Sequence, residues 1–185
     1  MKKFLVWTGI IFVVVIIGLF AAFKYMQAQT KKNSPEGLAE YASGDLKLSV
    51  FYNRPSLRGR EIIGSDAIPY GKVWRTGANE ASTFTTSKPL LIGGKTLPAG
   101  KYTLWTIPNQ STWTVILNKK QYPWGVNMKG EAARETEFDV LTVDVPVETL
   151  VQSVEQFTIS FETEKGLSLV LSWDHVRIVV PIQEQ

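Results

Sequence analysis

The chain has 185 residues, 44% of them apolar and 20% charged, which suits one globular domain plus an appendage. The net charge of +3 is unevenly spread: residues 1–33 hold five lysines and no acid, leaving 15 basic and 17 acidic residues in the remainder. That slightly acidic remainder argues against general nucleic-acid binding, and the lack of cysteine excludes disulfide frameworks, thiol catalysis and thiolate zinc sites.

Phe4–Phe23 is free of charge, and Thr8 is its only polar side chain. A helix of that length rises roughly 30 Å, the hydrocarbon thickness of a bilayer. A cleaved signal peptide has a shorter apolar core, of about 7–15 residues, and small residues at −3 and −1 of the cut. Here a cut after Ala22 or Ala28 places Phe20 or Met26 at −3. Residues 1–24 therefore read as a retained anchor, with the lipid bilayer as partner of Phe4–Phe23. Lys2 and Lys3 precede the apolar run and Lys24, Lys31 and Lys32 follow it, so the charge bias is nearly balanced. The expected orientation has the amino terminus in the cytoplasm and the domain outside a bacterial inner membrane.

Residues 25–44 are polar and include Ser34-Pro35-Glu36-Gly37, a turn-type sequence, and read as a tether. From Asp45 the period is two: Leu46, Leu48, Val50 and Tyr52 share one face of an expected strand. Further strands are expected over 81–87, 89–92, 95–97, 101–107, 113–118, 138–147, 157–162, 166–173 and 175–181. Gly93-Gly94 marks a two-residue hairpin, and Pro98 and Gly100 occupy type I turn positions. The one helical turn expected in the domain lies around Glu131–Glu135. Short strands separated by frequent turns predict an all-β domain over 45–183, an antiparallel two-sheet β-sandwich with jelly-roll character.

Special-purpose side chains concentrate in Tyr70–Glu80, which reads Tyr-Gly-Lys-Val-Trp-Arg-Thr-Gly-Ala-Asn-Glu, and in its upstream companion Tyr52–Glu61. Four of the six arginines lie between Arg54 and Arg75. Arg60, Arg75, Asn79 and Glu80 are the candidate polar site, and Trp74, with Trp105 or Trp124, is the candidate flat wall for a ring. The competing reading is structural: Glu61 or Glu80 pairs with Arg60 or Arg75, and Trp74 fills the core. His175 is the only histidine, and its neighbour Asp174 is expected on the opposite strand face, which argues against a dyad. The acids Glu131, Glu135, Glu137 and Asp139 read as a solvated face. No phosphate-binding glycine loop, serine elbow or metal-ligand spacing is present, so no cofactor or metal is expected.

These motifs resemble the bacterial family called domain of unknown function 2911, over roughly residues 34–181. The matching residues are Arg54-Pro55, Gly59-Arg60-Glu61, Tyr70 to Glu80, Leu97 to Tyr102, Thr106-Ile107-Pro108, Trp113-Thr114, Asn118 and Trp124-Gly125. The resemblance implies an exported domain, often with an N-terminal signal or anchor, and brings no activity. Three functions are carried forward. The first is a membrane-anchored binding or accessory module for a glycan, a small anionic ligand or other subunits of a membrane complex. The second is a cell-envelope glycan hydrolase using a carboxylate pair such as Glu61 and Glu80, which needs carboxyls about 5–9.5 Å apart. The third is a purely structural subunit of an inner-membrane complex.

Overall fold

The structure is a computed structural model describing residues 2–185. Met1 and the side chains of Lys2, Lys3 and Leu5 lie outside that description, and with them the amino-terminal charges used to assign orientation. The chain forms two compact units, one ending at Asn33 and the other spanning Ser34–Gln185.

The first unit is a single helix, α1 (Lys2–Asn33). From Val6 it is long and apolar enough to cross a membrane, and none of its most apolar stretch is buried. Thr8, the one polar residue of the apolar run, donates its hydroxyl to the Phe4 carbonyl at 2.9 Å, the local solution for a hydroxyl in an apolar helix. Lys31 and Lys32 occupy the last turn, where cations complement the helix dipole.

The helix does not stop where the apolar run stops, and the expected tether of residues 25–44 is absent. Residues 24–33 contain neither glycine nor proline, so nothing breaks the helix before Pro35, whose ring disfavours a helical Ser34. Only Ser34 and Pro35 separate α1 from strand β1 (Glu36–Ser43). β1 pairs along its whole length with β2 (Leu46–Asn53), from Glu36 opposite Asn53 to Ser43 opposite Leu46. Gly44-Asp45 closes this hairpin, with Gly44 at φ +55°, the first central position of a II′-type turn.

The other strands are β3 (Thr83–Thr86), β4 (Leu90–Ile92), β5 (Lys95–Leu97), β6 (Gly100–Ile107), β7 (Thr112–Asn118), β8 (Asp139–Glu162) and β9 (Ser168–Glu184). Every pairing between strands is antiparallel, and the order is β1-β2-β3-β6-β7-β8-β9-β4-β5. The domain is thus mainly antiparallel β, as the alternation predicted. Its ladder is one continuous sheet, with no break dividing it in two.

Continuity comes from β8 and β9, which replace the four short strands expected between 138 and 181. β8 pairs with β7 as far as Pro146 and with β9 from Val147 onward. Proline has no N–H to give to a ladder, so it suits the residue at which a strand changes partner. Pro181 likewise precedes the residues with which β9 pairs to β4. Between the Thr149–Val176 and Val154–Asp174 pairs, β8 advances five residues while β9 advances two. The bulge turns Val151 out, 97% exposed, and hides the period-two signal that would have marked one long strand. The expected helical turn at Glu131–Glu135 is also displaced, to a 3-10 turn at Thr136–Phe138.

The buried face of β2 is the one its alternation predicted, with Leu46, Leu48, Val50 and Tyr52 all buried. The ring of Tyr52 meets Phe157 edge-on at 5.7 Å. Its hydroxyl bridges the backbone of the far half of β8, donating to the Ile159 carbonyl at 3.2 Å and accepting from the Ile159 N–H at 2.9 Å. Beside it the chain leaving β2 pairs with β8: Leu57 N–H donates to Glu155 O, and Phe157 N–H donates to Pro55 O, both at 2.9 Å. Tyr52→Phe leaves both Ile159 groups buried without their partner. We expect a loss of about 1–3 kcal/mol in denaturant unfolding with an unchanged m-value; a loss below about 0.5 kcal/mol would show that the bridge carries little.

Candidate functional site

Two connections are much longer than the hairpin turns: residues 54–82, between β2 and β3, and residues 119–138, between β7 and β8. Connections beyond about 12–15 residues without strand or helix are uncommon and usually functional. The first is anchored by four apolar side chains, Leu57, Ile62, Ile68 and Trp74, all buried in the main core. Trp74 is the firmest anchor. Its backbone exchanges two hydrogen bonds with Thr106 of β6, at 2.7 and 3.0 Å, and its indole N–H donates to Gly77 O at 2.9 Å. Its ring stacks on Trp173 at 5.8 Å and meets Phe157 and Trp113 edge-on.

After Trp74 the chain turns sharply. Thr76 and Asn79 both adopt left-handed backbone, at φ 55° and 58°. For β-branched Thr76 this conformation is strained and must be held by its surroundings. Thr76 is fully buried, its hydroxyl lies 3.1 Å from that of Thr106, and its carbonyl accepts the Ser82 hydroxyl at 2.7 Å. Gly77 cannot be replaced here, because a Cβ at that position would lie 2.9 Å from the Asn53 carbonyl oxygen.

Arg75 stands between the buried Trp74 and this strained turn. Its stem lies on the second connection: a Cβ added at Gly125 would come within 2.2 Å of the Arg75 Cδ. Close by, Gly125 N–H donates to Asn79 O at 3.1 Å. The Nε of Arg75 is buried and makes no hydrogen bond, and among the described residues its guanidinium has no acidic partner. Burial alone pushes its pKa below the ordinary arginine value, with no carboxylate to offset it. An arginine so placed still carries its charge at neutral pH.

Arg75 lines a cleft of about 500 Å³ formed by both long connections, with Asp66, Lys72, Val73, Glu131 and Arg134 also in its wall. Arg134 is already neutralised: its Nε donates to Asp139 Oδ1 at 3.0 Å and a terminal nitrogen binds Oδ2 of the same carboxylate. Asp139 in turn accepts from Asn118 at 2.8 Å. Lys120 and Glu135 form a neighbouring ion pair. Of the four acids read as a solvated face, Glu135 and Asp139 are structurally paired, while Glu137 and Glu131 are exposed, Glu131 in the cleft wall.

The five predicted site residues do not converge. Arg60 is exposed and binds its own turn, donating to Leu57 O at 3.0 Å and Ser56 O at 3.2 Å. Asn79 and Glu80 meet at a buried residue that the sequence reading did not single out, Asn53. The Asn53 amide donates to Glu80 Oε2 at 2.9 Å, and Asn79 donates to Asn53 Oδ1 at 3.4 Å. Glu80 also lines a separate, shallower cleft beside Phe51, Lys101 and Tyr122. Only Arg75 and Trp74 border the first cleft, and the Trp74 ring belongs to the aromatic core. Trp105 is fully buried against Tyr122, which leaves half-buried Trp124 as the one candidate wall tryptophan with exposed surface.

Asp66, Arg134 and Gly125 were also missed as parts of the site. Gly125 was visible only as part of a Trp-Gly pair, and nothing local shows that an arginine fifty residues upstream needs the space of a missing Cβ. The separation of Asp174 from His175 on opposite faces does not hold. Asp174 takes φ 52° within the β8–β9 irregularity, bringing its carboxylate 3.8 Å from His175 Nε2. Ser153 donates to that carboxylate at 2.9 Å, and His175 Nδ1 lies 2.8 Å from Leu150 O. The serine contacts the acid and not the imidazole, so these three residues lack the arrangement of a nucleophilic triad. Among the described residues no three His, Asp or Glu side chains gather as a metal-ligand set.

A membrane-length apolar helix followed by an antiparallel β domain, whose two long connections meet over a partly buried arginine, defines the class of protein. Residues 34–182 match the model of the family described as "Protein of unknown function (DUF2911)", and the chain belongs to that family. No curated protein and no solved structure matches it.

Two substitutions test the placement of Arg75. Arg75→Met removes a partly buried charge that has no acidic partner among the described residues, so the melting temperature is expected to hold or rise. A fall of more than about 6 °C, roughly 2 kcal/mol for a domain of this size, would instead assign Arg75 a structural role. Gly125→Ala is expected to destabilise by about 1–3 kcal/mol through overpacking against the arginine stem, and the double variant with Arg75→Ala should recover most of that loss.

Proposed function

We propose that the protein is a single-pass inner-membrane protein whose extracytoplasmic β domain, folded back on itself like a sandwich, binds a small anionic ligand at Arg75. One observation carries the reading: a charged, partly buried guanidinium without a counter-ion lines a cleft of about 500 Å³ built from the two longest connections. An unpaired charge in that position raises the free energy of the empty domain, and an incoming carboxylate or phosphate relieves it. The strained backbone at Thr76 and Asn79 supports the same reading, because such conformations gather at ligand sites. The cleft volume falls within the range usual for small-molecule sites, about 300–1,000 Å³.

Retention in the membrane is supported by the 32-residue length of α1, which lacks any break after the apolar run. Trp7 and Tyr25 stand near the two ends of the apolar run, eighteen residues or roughly 27 Å apart along a helix, where interfacial aromatic residues are enriched. A hydrolase working through Glu61 and Glu80 gains no support, since Glu80 is held by Asn53 and Glu61 is an exposed residue of the first connection.

Two measurements test the proposal. With the full chain in mild detergent at constant ionic strength, acetate, citrate or inorganic phosphate is expected to raise the melting temperature. Arg75→Gln is expected to abolish the rise, and an equal rise in that variant overturns the site. In intact spheroplasts a C-terminal tag is expected to be accessible to added protease; full protection reverses the orientation.

A further inference from the structure

The cleft wall carries both signs of charge. Of its three cations, Arg134 is taken by Asp139, which leaves Arg75 and Lys72. Of its acids, neither Asp66 nor Glu131 forms an ion pair among the described residues. Glu131 is held in position instead. Asn127 donates to Glu131 Oε2 at 3.1 Å, and the Glu131 N–H donates back to Asn127 Oδ1, also at 3.1 Å. Val126 and Ala132 bridge across the same turn and add apolar lining.

A dianion in this space meets Arg75 and Lys72 but also the carboxylates of Asp66 and Glu131, and like charges brought together across a cleft repel. A neutral ligand leaves the Arg75 guanidinium unanswered. A molecule with one carboxylate and one ammonium group answers both signs at once, and small apolar residues remain to receive a short side chain. Resting on the anion-binding reading above, we propose that the cleft takes a small zwitterion of the amino-acid class. Its carboxylate sits on Arg75, and its ammonium group faces Glu131 and Asp66.

Matched pairs of probes separate the two levels. L-alanine against propionate, and L-leucine against 4-methylpentanoate, differ only by the α-ammonium group; inorganic phosphate supplies the dianion. Titration calorimetry on the full chain in detergent is expected to give at least tenfold tighter binding for each amino acid than for its matched acid, and the weakest binding for phosphate. The Asp66→Asn, Glu131→Gln double variant is expected to bind amino acid and matched acid equally, and Arg75→Gln to bind neither. Asp66 and Glu131 are exposed, so their replacement leaves the fold intact, which an unchanged melting temperature checks. Propionate or phosphate binding as tightly as alanine overturns the zwitterion while the anion site stands. A double variant that keeps the tenfold preference also overturns it. Absence of binding by every probe to the unmodified chain overturns both.

Discussion

The domain depends on one strand serving two neighbours. β8 gives its first third to β7 and the remainder to β9, and Pro146 stands at the exchange, where an N–H would otherwise seek a ladder partner. Because β9 then turns to β4 just past Pro181, the nine strands make one ladder, and the two ends of the order do not pair with each other. Contact across the interior falls to side chains and to the chain beyond β2. The Tyr52 hydroxyl satisfies both polar groups of Ile159, and Trp74, Trp113, Phe157 and Trp173 fill the space around it. Aromatic pairs of this kind add about 0.5–1.5 kcal/mol beyond the area they bury.

The site depends on a different constraint, a charge that no carboxylate among the described residues balances. Folding normally answers a part-buried arginine with a carboxylate, as Arg134 is answered by Asp139 a few residues away in the same wall. Arg75 instead lies over Gly125, whose missing Cβ makes room for its stem. The contrast between these two arginines lies within one molecule and one cleft, so it reflects local arrangement and not the character of the domain as a whole.

Alternation in the sequence identified the strands that face the core on one side. Leu46 to Tyr52 alternate because one face of β2 is buried, and Gly93-Gly94 marks the β4–β5 turn because its backbone, at φ 54° and 77°, needs glycine. β1 was not legible, since Pro35 and Gly37 imitate a turn and only Ala39 of its eight residues is buried. β8 and β9 read as fragments because bulges interrupt their period at Thr149, Val154 and Asp174. At the site, the density of rare side chains in Tyr70–Glu80 pointed to the right segment, and Arg75 within it. The same density could not show that Glu80 and Asn79 turn to Asn53 while Arg75 turns to Gly125. That choice is made by residues 26 to 50 positions away, whose distance in sequence leaves no local trace.

The 54–82 excursion has a neck: Phe51 pairs with Thr83, so the chain leaves the ladder and returns to it at adjoining points. Sheet and excursion are joined otherwise through buried anchors, Leu57, Ile62, Ile68 and Trp74 among them, and through short backbone pairings to β6 and β8. Such a construction behaves as a cassette. Substitutions between those anchors would change the chemistry displayed while leaving the pairing of the sheet as it is; a designer could graft the segment onto another antiparallel sheet that offers matching sockets and edges.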